Sequence, residues 1–102
     1  MISKVVSIGG KEYLVKYPIG ALIKAEKLLG WKLTELKERT KDMSIGDMAI
    51  LVRCGLRNLS GEAISDTDFQ DIMDSVDTQE FLAIVPDVLS VFNGNSQAST
   101  KN

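Results

Sequence analysis

Residues 2–30 constrain the fold most, because they predict a β-hairpin that leads directly into an amphipathic helix. The pair Gly9-Gly10 supplies the positive φ angles that a two-residue hairpin turn requires. On the strand before this turn, Lys4 is expected opposite an apolar face that is formed by Ile2, Val6 and Ile8. The return strand alternates in the same way, with one face formed by Tyr13, Val15 and Tyr17. The chain is therefore expected to begin with a two-stranded antiparallel hairpin.

A helix is predicted immediately after the hairpin, over residues 19–29. Pro18 ends the return strand and fixes a φ angle that suits the start of a helix. Apolar residues then recur at helical spacing, at Leu22, Ala25, Leu28 and Leu29. Gly30 follows as the glycine that often occupies the left-handed position after a helix. Because an isolated hairpin is marginal in water, it should pack on this helix or pair with the hairpin edge of another copy.

The remaining chain predicts further helices, at residues 33–41, 45–57, 66–76 and 79–92. Ser44 and Asp47 have the spacing of a capping box, and Ser65 is a second expected N-cap. Residues 79–92 show the clearest amphipathic pattern, although Pro86 should bend this segment or divide it in two. Residues 93–102 are polar and are expected to be disordered.

The predicted fold class is α+β and mostly α, with an N-terminal two-stranded antiparallel hairpin followed by a bundle of about five short helices. Residues 1–92 form a single globular domain in this interpretation, and residues 93–102 form a polar tail. The predicted core is formed by Leu22, Leu28, Leu51, Leu56, Phe81 and Val85.

Composition argues against most catalytic and metal chemistry. The chain has no histidine and a single cysteine, Cys54, so the commonest general base is missing and a structural zinc site cannot form. No glycine-rich phosphate loop is present. The acidic run 66–74 lacks the glycine and glutamate of a calcium-binding EF-hand loop. We therefore predict no catalytic, cofactor-binding or metal-binding residues, although a hydrolase built from carboxylates alone remains open.

Charge is divided unevenly along the chain. Residues 1–59 carry eleven Lys or Arg and six Asp or Glu, whereas residues 60–92 carry eight Asp or Glu and no Lys or Arg. The two halves could pair within one molecule, pair head-to-tail between copies, or leave a solvated acidic face. A pI near 5.0 and the lack of an arginine-rich helix argue against a nucleic-acid partner. No apolar run is long enough to span a membrane, so no membrane partner is expected.

Five residues are candidates for partner binding, although each has a structural alternative: Trp31, Arg53, Arg57, Phe81 and Phe92. Trp31 could anchor a partner or act as a lid on the core. Arg53 and Arg57 are four apart and are expected on one helix face, either solvated or facing an acidic partner. Phe81 and Phe92 lie in the predicted closing helix, whose apolar surface could be shared with a partner.

The order of these elements resembles that of the tail assembly chaperones of tailed phages, including related tail proteins of gene-transfer agents. The resemblance covers most of residues 5–92. It rests on Gly9-Gly10 and Tyr13 in the hairpin, Gly20-Ala21, Glu26 and Gly30 in the first helix, Gly55-Leu56-Arg57, and the apolar segment Phe81 to Phe92. These are common residue types in a particular order, and they include no catalytic signature.

The resemblance implies a non-catalytic role without a cofactor. Proteins of this kind bind the tape measure protein, keep it soluble and help the tail tube protein polymerise around it. They often occur in two forms, of which the longer is made by a programmed frameshift. The expected location is the cytoplasm of a bacterial host that carries the phage or prophage, and the mature virion should lack the protein.

Three other functions remain open at this point. A virion structural protein, such as a tail tube component or head–tail connector, would share the small size and a tendency to form rings. A small regulatory module, such as an inhibitor of a host enzyme, would also lack catalytic motifs. An enzyme is the remaining alternative. If copies associate head-to-tail through their opposite charges, rising salt should weaken that association.

Overall fold

The computed structural model describes residues 2–97 of the chain, and the side chains of residues 2–94. Its elements, in chain order, are β1 (Ser3–Ile8), β2 (Lys11–Lys16), α1 (Ile19–Leu29), α2 (Leu33–Arg39), a 3₁₀ turn (Thr40–Asp42), α3 (Ile45–Gly55), β3 (Leu56–Arg57), α4 (Asp66–Ser75) and α5 (Thr78–Gln97). The fold is mostly helical with an N-terminal antiparallel hairpin and five α-helices, as predicted. A third strand, which the sequence did not predict, extends the hairpin to a sheet of order β1-β2-β3.

The hairpin forms with the predicted turn. Gly9 and Gly10 have φ angles of 60° and 82°, and Ile8 lies opposite Lys11. One face of the sheet is buried, through Val6, Ile8, Val15 and Tyr17. The placement of Lys4 was wrong, because residues two apart on a strand share a face and Lys4 therefore lies on the side of Val6. Its ammonium group is 3.3 Å from the Asp87 carboxylate on α5.

Helix α5 covers the hairpin, and β1 runs antiparallel along it. Glu80, Asp87 and Gly94 are seven residues apart, so they lie along one side of α5. They meet β1 in reverse order. The backbone N–H of Gly9 donates to Glu80 Oε2 at 2.7 Å, Lys4 reaches Asp87, and the Ile2 side chain packs on Gly94. The closing helix, rather than α1, therefore provides the main support for the hairpin.

The predicted helix over 45–57 ends two residues early. Gly55 is the last residue of α3, and Leu56 has an extended backbone with φ −80° and ψ 134°. Leu56 and Arg57 then pair with Val15 and Leu14 of β2. The physical reason is that pairing with β2 satisfies backbone groups and also buries Leu56, which is 1% exposed.

The helix caps predicted at Ser44, Ser65 and Gly30 are confirmed, whereas α2 and α4 end two residues and one residue earlier than predicted. The side chains of Ser44 and Ser65 each accept a hydrogen bond of 3.1 Å from the backbone N–H three residues later. Gly30 ends α1 in the left-handed conformation, with φ 76°. Glu26 has a role that the sequence did not predict, since its carboxylate accepts a 2.7 Å hydrogen bond from the N–H of Leu33. This contact joins the end of α1 to the start of α2.

The core lies between the sheet and helices α1, α3 and α5. Four predicted core residues are buried, namely Leu51, Leu56, Phe81 and Val85. Leu22 is half-buried, and the prediction for Leu28 was wrong because it is 43% exposed at the edge of the buried face of α1. Helix α5 continues past the exposed Pro86 and through residues 93–97, beyond the domain boundary predicted at residue 92. The rest of the predicted polar tail, residues 98–102, lies outside the described residues.

Two buried acidic groups predict that the protein loses stability in alkali. Burial raises the pKa of Tyr17 well above 10.0, with a further contribution from Cys54, and burial also raises the pKa of the Cys54 thiol above 9.0. The unfolded chain therefore loses these protons at a lower pH than the folded chain does. Stability from both groups is complete below about pH 9 and falls as the pH rises further.

Urea unfolding followed by Trp31 fluorescence should show this loss as a lower free energy of unfolding at about pH 10 than at about pH 7.5. The variant Cys54→Ala should lose less of its stability between the two pH values, because one of the two groups is removed. Equal stability of the unmodified protein at both pH values would contradict the burial of Tyr17 and Cys54.

Candidate functional site

The two phenylalanines predicted to bind a partner lie in the core. Phe92 is fully buried, and its ring contacts the edge of Tyr17 with a centroid distance of 5.3 Å and an angle of 81°. The Tyr17 hydroxyl in turn donates a 2.6 Å hydrogen bond to the Leu51 carbonyl. Phe92 is therefore not at the surface in this structure. Phe81 is 5% exposed, but part of its side chain lines an open cleft where α3, α4 and α5 meet.

The two arginines lie on different elements, so the prediction of a shared helix face was wrong. Arg53, on α3, forms an ion pair in which Nη2 and Nε lie 2.6 and 3.0 Å from Asp66 Oδ1. This hydrogen bond holds the pKa of Asp66 below its usual value. Arg57, on β3, donates from Nη1 to the Gly61 carbonyl at 3.3 Å, while its buried Nε has no hydrogen-bond partner among the described residues. Arg57 therefore helps to fix the loop after β3.

Trp31 is half-buried against the core. The guanidinium carbon of Arg39 lies 4.5 Å from the centre of its ring, within the range of a cation–π contact. One side of the indole thus packs on the protein and another is covered by Arg39. This arrangement fits the alternative in which Trp31 is a lid on the core.

The candidate site is an apolar cleft where α3, α4 and α5 meet, which we call the α3–α4–α5 cleft. Its volume is about 160 Å³, and it is lined by Ile45, Ala49, Met73, Val76, Asp77, Thr78 and Phe81. Ile45 is 54% exposed, while Phe81 is nearly buried. The cleft is therefore open to solvent beside Ile45, with Phe81 in its less exposed part.

Helix α4 forms one wall of the cleft and is the least embedded helix of the fold. Phe69 is its single buried residue, and Ile72, Met73 and Val76, which follows the helix directly, are half-buried. Its first turn is held by the ion pair between Asp66 and Arg53. A methionine in such a wall can adapt its shape to different apolar groups, because its side chain is unbranched and flexible.

A second groove lies on the α3–α4 contact, with a volume of about 300 Å³. It is lined by Ala49, Ile50, Arg53, Asp66, Phe69 and Gln70. Ala49 lines both depressions, so they are neighbours on the same surface of α3. Two residues predicted to bind a partner thus line these neighbouring depressions: Phe81 lines the cleft, and Arg53 lines the groove. The other three, Trp31, Arg57 and Phe92, lie elsewhere.

Two walls of the α3–α4–α5 cleft come from the acidic half of the chain. Asp77 lines the cleft, and the segment that forms two of its walls belongs to residues 60–92, which carry no Lys or Arg. On α4, Asp68, Asp71 and Asp74 are exposed. Both ion pairs found among the described residues, Lys4–Asp87 and Arg53–Asp66, join the basic and acidic halves within one molecule. Part of the charge division is therefore satisfied internally, while the three α4 acids remain exposed.

Of the residues that line the cleft, only Phe81 was identified from the sequence as a candidate for partner binding. Ile45 could have been recognised, because it is a large apolar residue directly after a capping serine, at a helix start that favours acidic residues.

Among residues 2–97, no group of three or more His, Cys, Asp or Glu could hold a metal ion. No helix within that range is long and apolar enough to cross a membrane. Comparison with known protein families, curated proteins and solved structures finds no match to this chain.

Proposed function

We propose that this chain is a non-catalytic tail assembly chaperone of a tailed phage or prophage, which binds the tape measure protein while the tail tube protein polymerises. The observation that carries the proposal is the α3–α4–α5 cleft, since an apolar cleft with an exposed isoleucine at its edge suits a protein that shields apolar helical segments of a client. The order of elements on which the resemblance rests adds support.

The acidic residue that lines the cleft specifies the client segment further. An apolar side chain would enter beside Met73 and Phe81, and a Lys or Arg of the client would face the exposed carboxylate of Asp77, which lines the cleft. The client segment in this proposal is a helix with an apolar stripe bordered by a basic residue. The chain would act in the cytoplasm of the bacterial host and would leave before the virion matures.

Co-expression with the tape measure protein from the same genome tests the proposal. The client should become soluble and should co-purify with this chain. Purified phage particles should lack the chain, because a chaperone leaves the assembly. Recovery of the chain from particles at a fixed stoichiometry would favour the alternative of a tail tube component or head–tail connector. A client that stays insoluble in the presence of the folded chain would contradict the chaperone role.

A further inference from the structure

We propose that two copies of this chain join edge to edge through β1, in an antiparallel pairing with Val5 on the two-fold axis. Strand β1 has β2 on one side and no neighbouring strand on the other within residues 2–97. This inference does not depend on the proposed function, because it follows from the geometry of the hairpin and of the helix beneath it.

The hairpin turn determines which residues offer hydrogen bonds at the outer edge. A two-residue turn with positive φ at both positions is closed by a hydrogen-bonded pair, here Ile8 and Lys11. Hydrogen-bonded and non-hydrogen-bonded pairs alternate from that point. The N–H and C=O groups of Ser3, Val5 and Ser7 therefore point away from β2. No hydrogen bond from outside the hairpin to these three residues occurs in the described structure.

This edge is complementary to itself. The outward groups belong to Ser, Val and Ser, which is the same order in both directions about Val5. An antiparallel pairing centred there places Val5 opposite Val5 of the second copy and Ser3 opposite Ser7. All outward backbone groups of the three residues then pair, and the Val5 side chain, 53% exposed in one copy, gains an apolar neighbour. The symmetry favours a second copy over an unrelated strand.

The usual features that protect a sheet edge are weak in β1. The strand contains no proline, and its register with β2 is continuous without a bulge. The charge of its one lysine, Lys4, is compensated by Asp87. In the proposed register Lys4 lies opposite Val6, so no like charges meet directly.

Two small, exposed residues lie on the side of α5 next to β1. Ala83 and Ser90 are exposed and lie one turn before and one turn after Asp87, on the side of α5 that borders β1. Small side chains at these positions allow two α5 helices to approach across the two-fold axis. The dimer would then be a continuous six-stranded sheet with both α5 helices on one face.

Sedimentation equilibrium of the purified chain tests the dimer. We expect a species of twice the chain mass of 11.2 kDa, whose abundance rises with concentration. Backbone hydrogen bonds and apolar contact should keep the dimer largely intact at high salt, unlike a head-to-tail contact between opposite charges. A monomer at concentrations up to about 1 mM, or a dimer lost at high salt, would overturn the proposal.

Charge variants at Val5 test the register. The substitution Val5→Lys places two like charges opposite each other and should raise the dimer Kd about tenfold or more, as should Val5→Glu. The matched control Val5→Thr keeps a β-branched side chain and should still dimerise. An equimolar mixture of the Lys and Glu variants should form a heterodimer, which also shows that both variants are folded. A dimer that survives Val5→Lys, or a monomeric mixture of variants whose circular dichroism matches that of the unmodified chain, would show that Val5 does not lie on the axis.

Discussion

Replacement of Phe92 with alanine is expected to lower the free energy of unfolding by about 4 kcal/mol, within the usual range for a buried phenylalanine. Phe92 has no exposed surface, and its ring contacts the edge of Tyr17. Removal of the ring leaves a cavity between α5 and β2 that the surrounding residues cannot fill without disturbing Tyr17. Chemical denaturation in urea, followed by Trp31 fluorescence, measures the loss directly.

The control for this prediction lies on the same helix. Leu82 is 44% exposed, so Leu82→Ala should change the free energy of unfolding by less than about 1 kcal/mol. A small effect for Phe92→Ala, similar to that of Leu82→Ala, would mean that Phe92 is at the surface. Phe92 would then return to the set of candidate partner-binding residues.

The substitution Gly55→Ala is expected to destabilise the protein by about 3 kcal/mol, because it adds a methyl group where the core has no space. A Cβ atom on Gly55 would overlap the ring of Tyr17. That ring is fixed on two sides, by its hydrogen bond to the Leu51 carbonyl and by its contact with Phe92. Either the ring or the end of α3 must move, and movement of α3 would also disturb the pairing of Leu56 with β2.

Gly46 provides a matched control in the same helix. A Cβ atom there has Ser44 Oγ at 3.9 Å as its nearest neighbour, which is an ordinary contact. Gly46→Ala should therefore leave stability unchanged or raise it by up to about 1 kcal/mol, because alanine favours helix. Thermal melting of both variants distinguishes the overlap at Gly55 from the general effect of replacing a helical glycine with alanine. Equal stability of Gly55→Ala and Gly46→Ala would show that Tyr17 does not pack on Gly55.

Local chemistry made the hairpin, the turn and the helix ends predictable. Gly9-Gly10, Gly30, Ser44 and Ser65 each impose a backbone conformation or a cap that needs only near neighbours. The third strand was missed because it contains only Leu56 and Arg57, and because these residues continue the helical pattern of α3 without a break. Their extended conformation depends on pairing with Val15 and Leu14 of β2, which lie 41 and 43 residues earlier in the chain.

The candidate site could be predicted only in part. Phe81 was recognised as an apolar residue of the last helix, but periodicity alone cannot show which residues from other helices it meets. Ile45 and Met73 reach the same cleft because the chain turns between α3 and α4 and again between α4 and α5. Phe92 shares the pattern of Phe81 and yet is sealed in the core, since its ring packs against Tyr17 and it has no exposed surface.

The soluble fraction of the tape measure protein, measured with a matched pair of variants of this chain, tests the central claim most directly. Ile45 and Ile19 are both exposed and both occupy the first position of an eleven-residue helix, but only Ile45 lines the cleft. Glutamate is compatible with that helix position, so both variants should fold. Ile45→Glu should lower client recovery about tenfold, because it places a charge in the apolar cleft. Ile19→Glu should match the unmodified chain. Equal client recovery with both variants would contradict a role for the cleft.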